Sequence, residues 1–285
     1  MPERISRRKF LTYTGGSVLG VGLMGIGGAA WVTRIEPQWF EVTSTAVRLP
    51  NLDPHFDSLT IAHISDLHLG DWMTRERIWG VVEQVNALHP DVIAITGDFV
   101  SRIWSSTPLD IVETLGRLQA REAKVAVLGN HDHWTNARVV GQAVHDAGIR
   151  LLLNEHVALR RGDAALYIAG VDDIWERQHD LDAALAGVPE NTPVVLLAHE
   201  PDYADAVAAT GRVGLQLSGH THGGQVRLPL VGALELPYLG EKYDMGLYDV
   251  NGMALYVTRG VGMIAPHVRF NCRPEIARLE LVADS

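Results

Sequence analysis

Leu59-Thr60-Ile61-Ala62-His63-Ile64-Ser65-Asp66-Leu67-His68 runs from an apolar, β-branched stretch straight into an acid and an imidazole two residues apart. Its first part reads as a strand over 60–64 buried on both faces, because apolar residues fill consecutive positions instead of alternating. Its second part puts ligand-capable side chains at the carboxyl end of that strand. The same grammar repeats outward along the chain. Apolar runs at 91–96, 124–128, 165–171, 193–198 and 214–217 read as further buried strands. Amphipathic stretches lie between the first three: 74–88 sets Ile78, Val81, Val82, Val85 and Leu88 on one face, 109–118 does likewise, and 137–147 ends at Gly148. Alternating strands and helices predict an α/β architecture built in layers.

Beyond Gly223 the pattern changes. Pro229, Gly232, Pro237 and Gly240 punctuate an apolar loop, and 245–250, 253–258 and 275–282 read as hairpin-linked strands. No internal repeat or low-complexity tract interrupts the chain after about residue 57. The expected organisation is an address segment at 1–34, a connecting segment at 35–57 and one domain at 58–285.

Composition sets limits on function. The 285 residues are 47% hydrophobic and 20% charged, which is the balance of a folded globular domain. A lone cysteine, Cys272, excludes an internal disulfide framework and a multi-thiolate zinc site. The formal net charge of −10 argues against a nucleic-acid-binding surface, which needs a basic stripe. That charge is uneven. Residues 1–35 hold Arg4, Arg7, Arg8, Lys9 and Arg34 against Glu3, leaving 19 basic and 33 acidic side chains for the rest.

Five short motifs follow predicted strands, where open α/β sheets bind ligands. They are Asp66-Leu67-His68, Gly97-Asp98, Gly129-Asn130-His131-Asp132, His199-Glu200 and Gly219-His220-Thr221-His222. Each alone is a weak signal. Asp-x-His is most often a loop, Gly-Asp a turn, and Gly-Asn-His-Asp a helix entry capped by its Asn or Asp. His199 alone reads equally as a hydrogen-bonded core histidine, and Pro201 with Tyr203 excludes a helical His-Glu-x-x-His zinc motif there. Five coincidences at five strand ends are a different matter. Asp66, His68, Asp98, Asn130, His199, His220 and His222 make a mixed oxygen and imidazole set suited to two divalent ions of the Mn, Fe, Zn or Ni kind.

In this order the motifs resemble those of the calcineurin-like metallophosphoesterases, over about residues 59–282. The run Gly219-His-Thr-His-Gly-Gly-Gln-Val-Arg-Leu-Pro229, with Arg259-Gly-Val-Gly and Arg269-Phe-Asn-Cys-Arg-Pro-Glu-Ile276, is similar to an exported or membrane-anchored bacterial phosphodiesterase branch. The resemblance implies an αββα sandwich with metal ligands at the carboxyl ends of strands. It implies one metal on Asp66, His68 and His222, a second on Asn130, His199 and His220, and Asp98 bridging both. It further implies in-line attack of metal-bound hydroxide on phosphorus, with His131 protonating the leaving oxygen or stabilising the transition state. Asp132 is expected to orient the His131 imidazole and raise its pKa.

The N-terminus reads as an address. Met1 to Lys9 is basic, and residues 10–32 carry no charge and seven glycines. Ser6-Arg7-Arg8-Lys9-Phe10-Leu11 resembles the twin-arginine export signal, with Thr12 where that signal often has Lys. An ordinary basic flank of a membrane helix is the alternative. The run just reaches the length that spans a bilayer, so retention as an anchor and cleavage near Gly28-Ala29-Ala30 both stay open. Either way the domain is expected outside the cytoplasmic membrane, with the twin-arginine machinery as a partner and residues 10–32 outside the fold. Gly20-x-Gly22-x-x-Gly25 lies in this segment, but without a preceding strand it is no dinucleotide-binding turn.

The motifs fix a reaction class and leave the ester open. Trp72, Met73, Trp104, Trp134, the loop at 228–239 and Met263-Ile264 flank the motifs and read either as core caps or as a lipid-facing rim. Arg227, Arg259 and Arg269 read either as contacts to a phosphate or as structural salt bridges. The expected substrate is a phosphodiester or pyrophosphate in a lipid or envelope polymer. A UDP-2,3-diacylglucosamine pyrophosphatase-like activity, a phosphomonoesterase or nucleotidase, and a non-catalytic metal-binding scaffold are the alternatives.

Overall fold

A computed structural model describes residues 27–70, 72–101 and 107–283. The Arg7-Arg8 pair, most of the apolar run at 10–32 and Trp104 lie outside the described residues. In chain order the first half forms β1 (Glu41–Arg48), β2 (Thr60–Ile64), α1 (Arg75–Ala87), β3 (Val92–Thr96), α2 (Thr107–Leu115), β4 (Ala123–Val127), α3 (Asn130–Asp146) and β5 (Arg150–Leu151). These strands make a six-stranded sheet in the order β1-β14-β2-β3-β4-β5, with β14 (Glu275–Val282) brought in from the far end of the chain. The second half forms β6 (Glu155–Arg161), β7 (Ala164–Gly170), α4 (Leu181–Ala184), β8 (Val194–Leu197), α5 (Ala204–Ala208), β9 (Leu215–Ser218), the short pair β10 (Arg227–Leu228) and β11 (Gly232–Ala233), β12 (Gly246–Val250) and β13 (Met253–Val257). The second six-stranded sheet has the order β12-β13-β9-β8-β7-β6.

Both faces of the central strands are buried, and the pleat decides which face each side chain enters. From β2 and β3, Ile61, Val92 and Ala94 point between the sheets, where they meet Leu166, Val195, Leu197 and Leu217. Their neighbours Ala62, Ile64, Ile93 and Ile95 point outward onto Ile78, Val81 and Val85 of α1, Ile111 and Leu115 of α2, and Val140 and Val144 of α3. On the second sheet Val194, Leu196 and Leu255 face Ala184, Ala204 and Val207. Helices, sheet, sheet and helices stack in that order, which is the expected αββα sandwich.

Four features differ from the sequence reading. Residues 35–57, expected as a connection, contain β1, which pairs in parallel with β14 from Glu41 opposite Glu275 to Arg48 opposite Val282. Its side chains are mostly polar and half exposed, and only Val47 is fully buried, so no apolar alternation announces this edge strand. The β12–β13 hairpin forms as expected, but β14 leaves it for the other sheet and pairs antiparallel with β2. Finally, α3 starts at Asn130, seven residues before the predicted 137, with non-helical backbone at Asn136 (φ −175°, ψ 89°). The Asn136 side chain restarts the helix by accepting the Val139 N–H at 3.2 Å. Val32, expected outside the fold, accepts the Arg269 N–H at 2.9 Å. Among the described residues no helix is long and apolar enough to cross a membrane.

Candidate metal centre

The loops that follow β2, β3, β4, β8 and β9 converge at one end of the sandwich. Main-chain bonds extend the sheet into these loops: Asp66 N–H to Gly97 O (3.0 Å), His68 N–H to Asp98 O (3.0 Å) and Gly219 N–H to His199 O (3.0 Å). Asp66, His68, Asp98, His220 and His222 all have left-handed backbone, with φ between 50° and 71°. That conformation is costly for non-glycine residues and persists where surrounding contacts enforce it, as they do at functional sites. Gly129 and Gly97 permit the close approach. A Cβ on Gly129 would collide with Asp98 Oδ1 and lie 2.8 Å from His199 Nε2, and one on Gly97 would lie 2.7 Å from the Gly129 nitrogen.

The structure brings together the residues expected as metal ligands, all of them buried. One ligand atom each from Asp66, His68 and His222 lie within 4.8 Å of one another, and so do one each from Asp66, Asp98 and His199. Asp98 Oδ2 is 3.5 Å from His68 Nε2 and 3.3 Å from His199 Nε2, between the two groups. The His199 and His220 rings are 4.9 Å apart, centre to centre.

Three of the four ligand-type histidines have one ring nitrogen held, whereas the His222 Nδ1 has no hydrogen-bond partner among the described residues. His199 Nδ1 bonds the Thr96 carbonyl (2.6 Å), His220 Nε2 the Tyr238 carbonyl (2.8 Å) and His68 Nδ1 the Ser101 hydroxyl (3.0 Å). Such partners fix the ring and its tautomer in metal sites. The Asn130 Oδ1 and His199 Nε2 atoms have no hydrogen-bond partner among the described residues, although both are buried. His68 and His222 face each other Nε2 to Nε2 at 3.0 Å. Inward lone pairs without donors are what a divalent cation would satisfy, so the residues present fit the metals that the motifs imply.

Residues 59–224 match the calcineurin-like phosphoesterase family. The chain belongs to that family. This phosphoesterase is 34% identical over 278 residues to the uncharacterized metallophosphoesterase YkuE of Bacillus subtilis, covering 96% of each chain. It is 31% identical to the phosphodiesterase YaeI of Escherichia coli, over 98% of this chain and 100% of that one. It is 27% identical to the UDP-2,3-diacylglucosamine pyrophosphatase LpxG of Chlamydia trachomatis, over 86% and 90%. The protein is accordingly a metal-dependent phosphoester hydrolase.

The electrostatics of the phosphoesterase site suit cation binding. Burial drives the pKa of His68 and of His220 down to about 3 and holds His222 well below the usual imidazole value, so all three present neutral lone pairs. Burial raises Asp66 to about 7, with the Asp98 charge adding to it. Although burial opposes the cation at His199, the neighbouring Asp98, Asp66 and Glu200 hold a proton there well above the usual value.

Four expected roles fall elsewhere. Asp132 does not orient His131: its carboxylate accepts the Gly129 N–H (3.0 Å) and the Val100 N–H (3.2 Å), tying the β4 loop to the β3 loop. The first turn of α3 directs Asp132 back at its own N-terminal main chain, as a capping acid is directed. His131 instead donates its main-chain N–H to Asp98 Oδ1 (2.9 Å), and its ring meets His68 edge-on at 4.8 Å and Trp134 at 4.9 Å. The three arginines expected at phosphate are bonded within the protein. Arg227 bonds the Gly223 carbonyl (2.8 Å) and Asp244 (2.7 Å), and Arg259 bridges Glu41 (2.9 Å) and Glu275 (3.3 Å). Arg269, fully buried, bonds the carbonyls of Gly262 (2.7 Å), Arg259 (2.8 Å) and Cys272 (3.0 Å).

The loop after β7 went unread, although its strand end follows the same rule as the others. Glu200 anchors it by accepting the N–H groups of Ile174 and Trp175, both at 3.3 Å. Burial, reinforced by Asp173, lifts Glu200 to about 8. The Trp175 ring thereby reaches His220 (5.6 Å), Tyr238 (5.3 Å) and Trp134 (5.2 Å), making an aromatic wall beside the candidate metal ligands. Adjacent Asp172-Asp173 at the end of a buried run was the available signal.

Proposed function

We propose that the protein is a binuclear phosphodiesterase acting outside the cytoplasmic membrane on a phosphodiester or pyrophosphate bond in a lipid or cell-envelope substrate. One observation carries the binuclear reading. Asp98 stands within 3.5 Å of imidazoles from both ligand groups, and unpartnered inward atoms flank it. In this reading Asp66, His68 and His222 hold one divalent ion, Asn130, His199 and His220 the other, and Asp98 touches both. Two such ions supply Lewis acidity and a nucleophilic water at neutral pH.

The chain's own residues do the rest. Asp98 and the carbonyls behind His199 and His220 hold the ligand rings in place before substrate arrives. His131, half-buried and fixed through its N–H to Asp98, delivers a proton to the leaving oxygen. Trp134, 52% exposed, and Trp175 exclude water from one side of the reacting centre. The similarity to the phosphodiesterase YaeI supports the diester class, and the similarity to LpxG supports a lipid pyrophosphate. An apolar cavity of about 360 Å³ bordered by His220, His222, Leu234, Leu236 and Ile264 favours an ester with an apolar part.

Hydrolysis of bis(p-nitrophenyl) phosphate with Mn²⁺ tests this. Asp98→Ala and His220→Ala should each abolish turnover and lower metal content, and intact activity in either would overturn the mechanism. His131→Ala should cut turnover by about 10²-fold while two metals per chain remain, the range of a lost general acid. Comparing monoester, diester and lipid pyrophosphate rates on one preparation separates the substrate classes. Export through the twin-arginine route predicts that replacing Arg7 and Arg8 together by Lys leaves the protein in the cytoplasm.

A further inference from the structure

The hairpin of β10 and β11 carries Pro229, Leu230 and Val231 in its turn. Leu230 is fully exposed, Val231 is 70% exposed, and Leu228 and Leu234 on the arms are 39% and 58% exposed. Scattered surface apolar residues are ordinary, but these four fall within Leu228 to Leu234 on one two-pair ladder of Arg227 with Ala233 and Leu228 with Gly232.

A second apolar feature shares this face. Trp31, Ile35 and Trp39 are each exposed by 40% or more, and Trp31 lines one surface depression with Pro229 of the hairpin turn. Both features are fastened to the same short stretch of chain. The Val32 carbonyl accepts the Arg269 N–H (2.9 Å), and the Arg227 N–H is donated to the Phe270 carbonyl (2.9 Å). Arg273 lies over the Trp39 ring at 3.5 Å, and exposed Arg34 stands beside Ile35. Tryptophans with neighbouring arginines around an aliphatic tip are the composition of a membrane–water interface. The uncharged sequence at 10–32 joins the fold at this same point. On its other flank the hairpin borders the apolar cavity at His220 and His222, through Val226 and Leu234.

We propose that the hairpin tip and the Trp31, Ile35 and Trp39 side chains form one bilayer-docking face, seated in the interfacial layer of a lipid membrane. It concerns a surface and not the metal centre, so it stands independently of the hydrolytic reading. Retained as an anchor, the N-terminal run alone would bring the chain to a membrane. The docking face adds an orientation, placing the cavity mouth beside the lipid headgroups instead of away from them.

Depth at the hairpin tip tests the proposal in the full chain. Leu230→Cys carrying an environment-sensitive NBD label is mixed with phosphatidylethanolamine–phosphatidylglycerol vesicles, and the unlabelled wild type, whose Cys272 is buried, serves as the blank. The control is Asp163→Cys, in the β6–β7 turn at the opposite end of the second sheet. Emission at Leu230 should rise about twofold or more and be quenched by acyl-brominated lipid, with the Asp163 position unchanged, as interfacial burial requires. A water-like Leu230 signal on chains that co-sediment with vesicles would overturn the proposal. So would a signal change that needs no vesicles and grows with protein concentration, because the face would then pair with a second copy. Neither readout depends on hydrolysis.

Discussion

Asp132 shows how far a residue's type can mislead about its task. Next to a catalytic-looking imidazole it reads as an orienting acid, yet both its oxygens serve main-chain N–H groups of two loops. Asp132→Ala leaves those buried donors unpaired, which costs about 1–3 kcal/mol each. The expected outcome is a destabilisation of about 2–6 kcal/mol in a denaturant melt. Turnover per folded chain should stay within about twofold of wild type, and a loss comparable to that of His131→Ala, about 10²-fold, would restore the orienting role. The seven ligand-type residues were legible because each follows a buried run at a strand end, a relation present in linear order. The arginines were not, since a guanidinium suits a phosphate and a ring of carbonyls equally well, and only the folded chain shows which surrounds Arg269.

At the scale of elements, the central strands were readable and three of the four sheet edges were not, β12 being the exception. β2, β3, β8 and β9 bury every residue; the runs of β3 and β8 are nearly continuous in apolar residues, while β2 and β9 bury Thr60, His63, Gln216 and Ser218 among theirs. β1 and β6 lie at sheet edges, keep one side in solvent and carry Thr, Ser, Arg and Glu through most of their length. Edge strands are kept polar to prevent pairing with other chains, and that same polarity hides them in the sequence. The α3 start was hidden differently. Its first turn is set by the β4 loop and its periodic face begins only after the break at Asn136. Asn136→Ala should therefore cost about 1 kcal/mol, the worth of a lost N-cap, and lower the melting temperature without changing metal content. An unchanged melting temperature would show that the restart does not depend on that side chain.

For the molecule as a whole, acid sensitivity follows from a histidine that holds no metal. His63 lies in β2, bonded to Thr96 Oγ1 at 2.8 Å, and burial takes its pKa from 6.5 down to about 4, with Glu275 opposing. The unfolded chain accepts that proton near pH 6.5 and the folded chain does not until about pH 4. This group's penalty is therefore absent above pH 6.5 and grows as pH falls toward 4, by about 1.4 kcal/mol per unit. Unfolding free energies of wild type and His63→Gln, measured between pH 4.5 and 7.5, should converge in slope above 6.5 and diverge below it. Parallel curves throughout would assign the acid sensitivity to other groups.

The placement of β14 between β1 and β2 has a consequence for how the protein is made. Ser44 of β1 and Arg278 of β14 are bonded across 234 positions of sequence, and β14 is the sheet neighbour of β1. While the chain emerges from the ribosome, β1 is exposed early, and its partner follows only after the 226 residues between Arg48 and Glu275 have been added. Long-range pairing of this kind is slow and leaves a strand edge open in the meantime. The first sheet is thus sealed only once β14 has emerged, and a β14 truncated by a few residues should leave a chain that aggregates during production even though every candidate metal ligand is present.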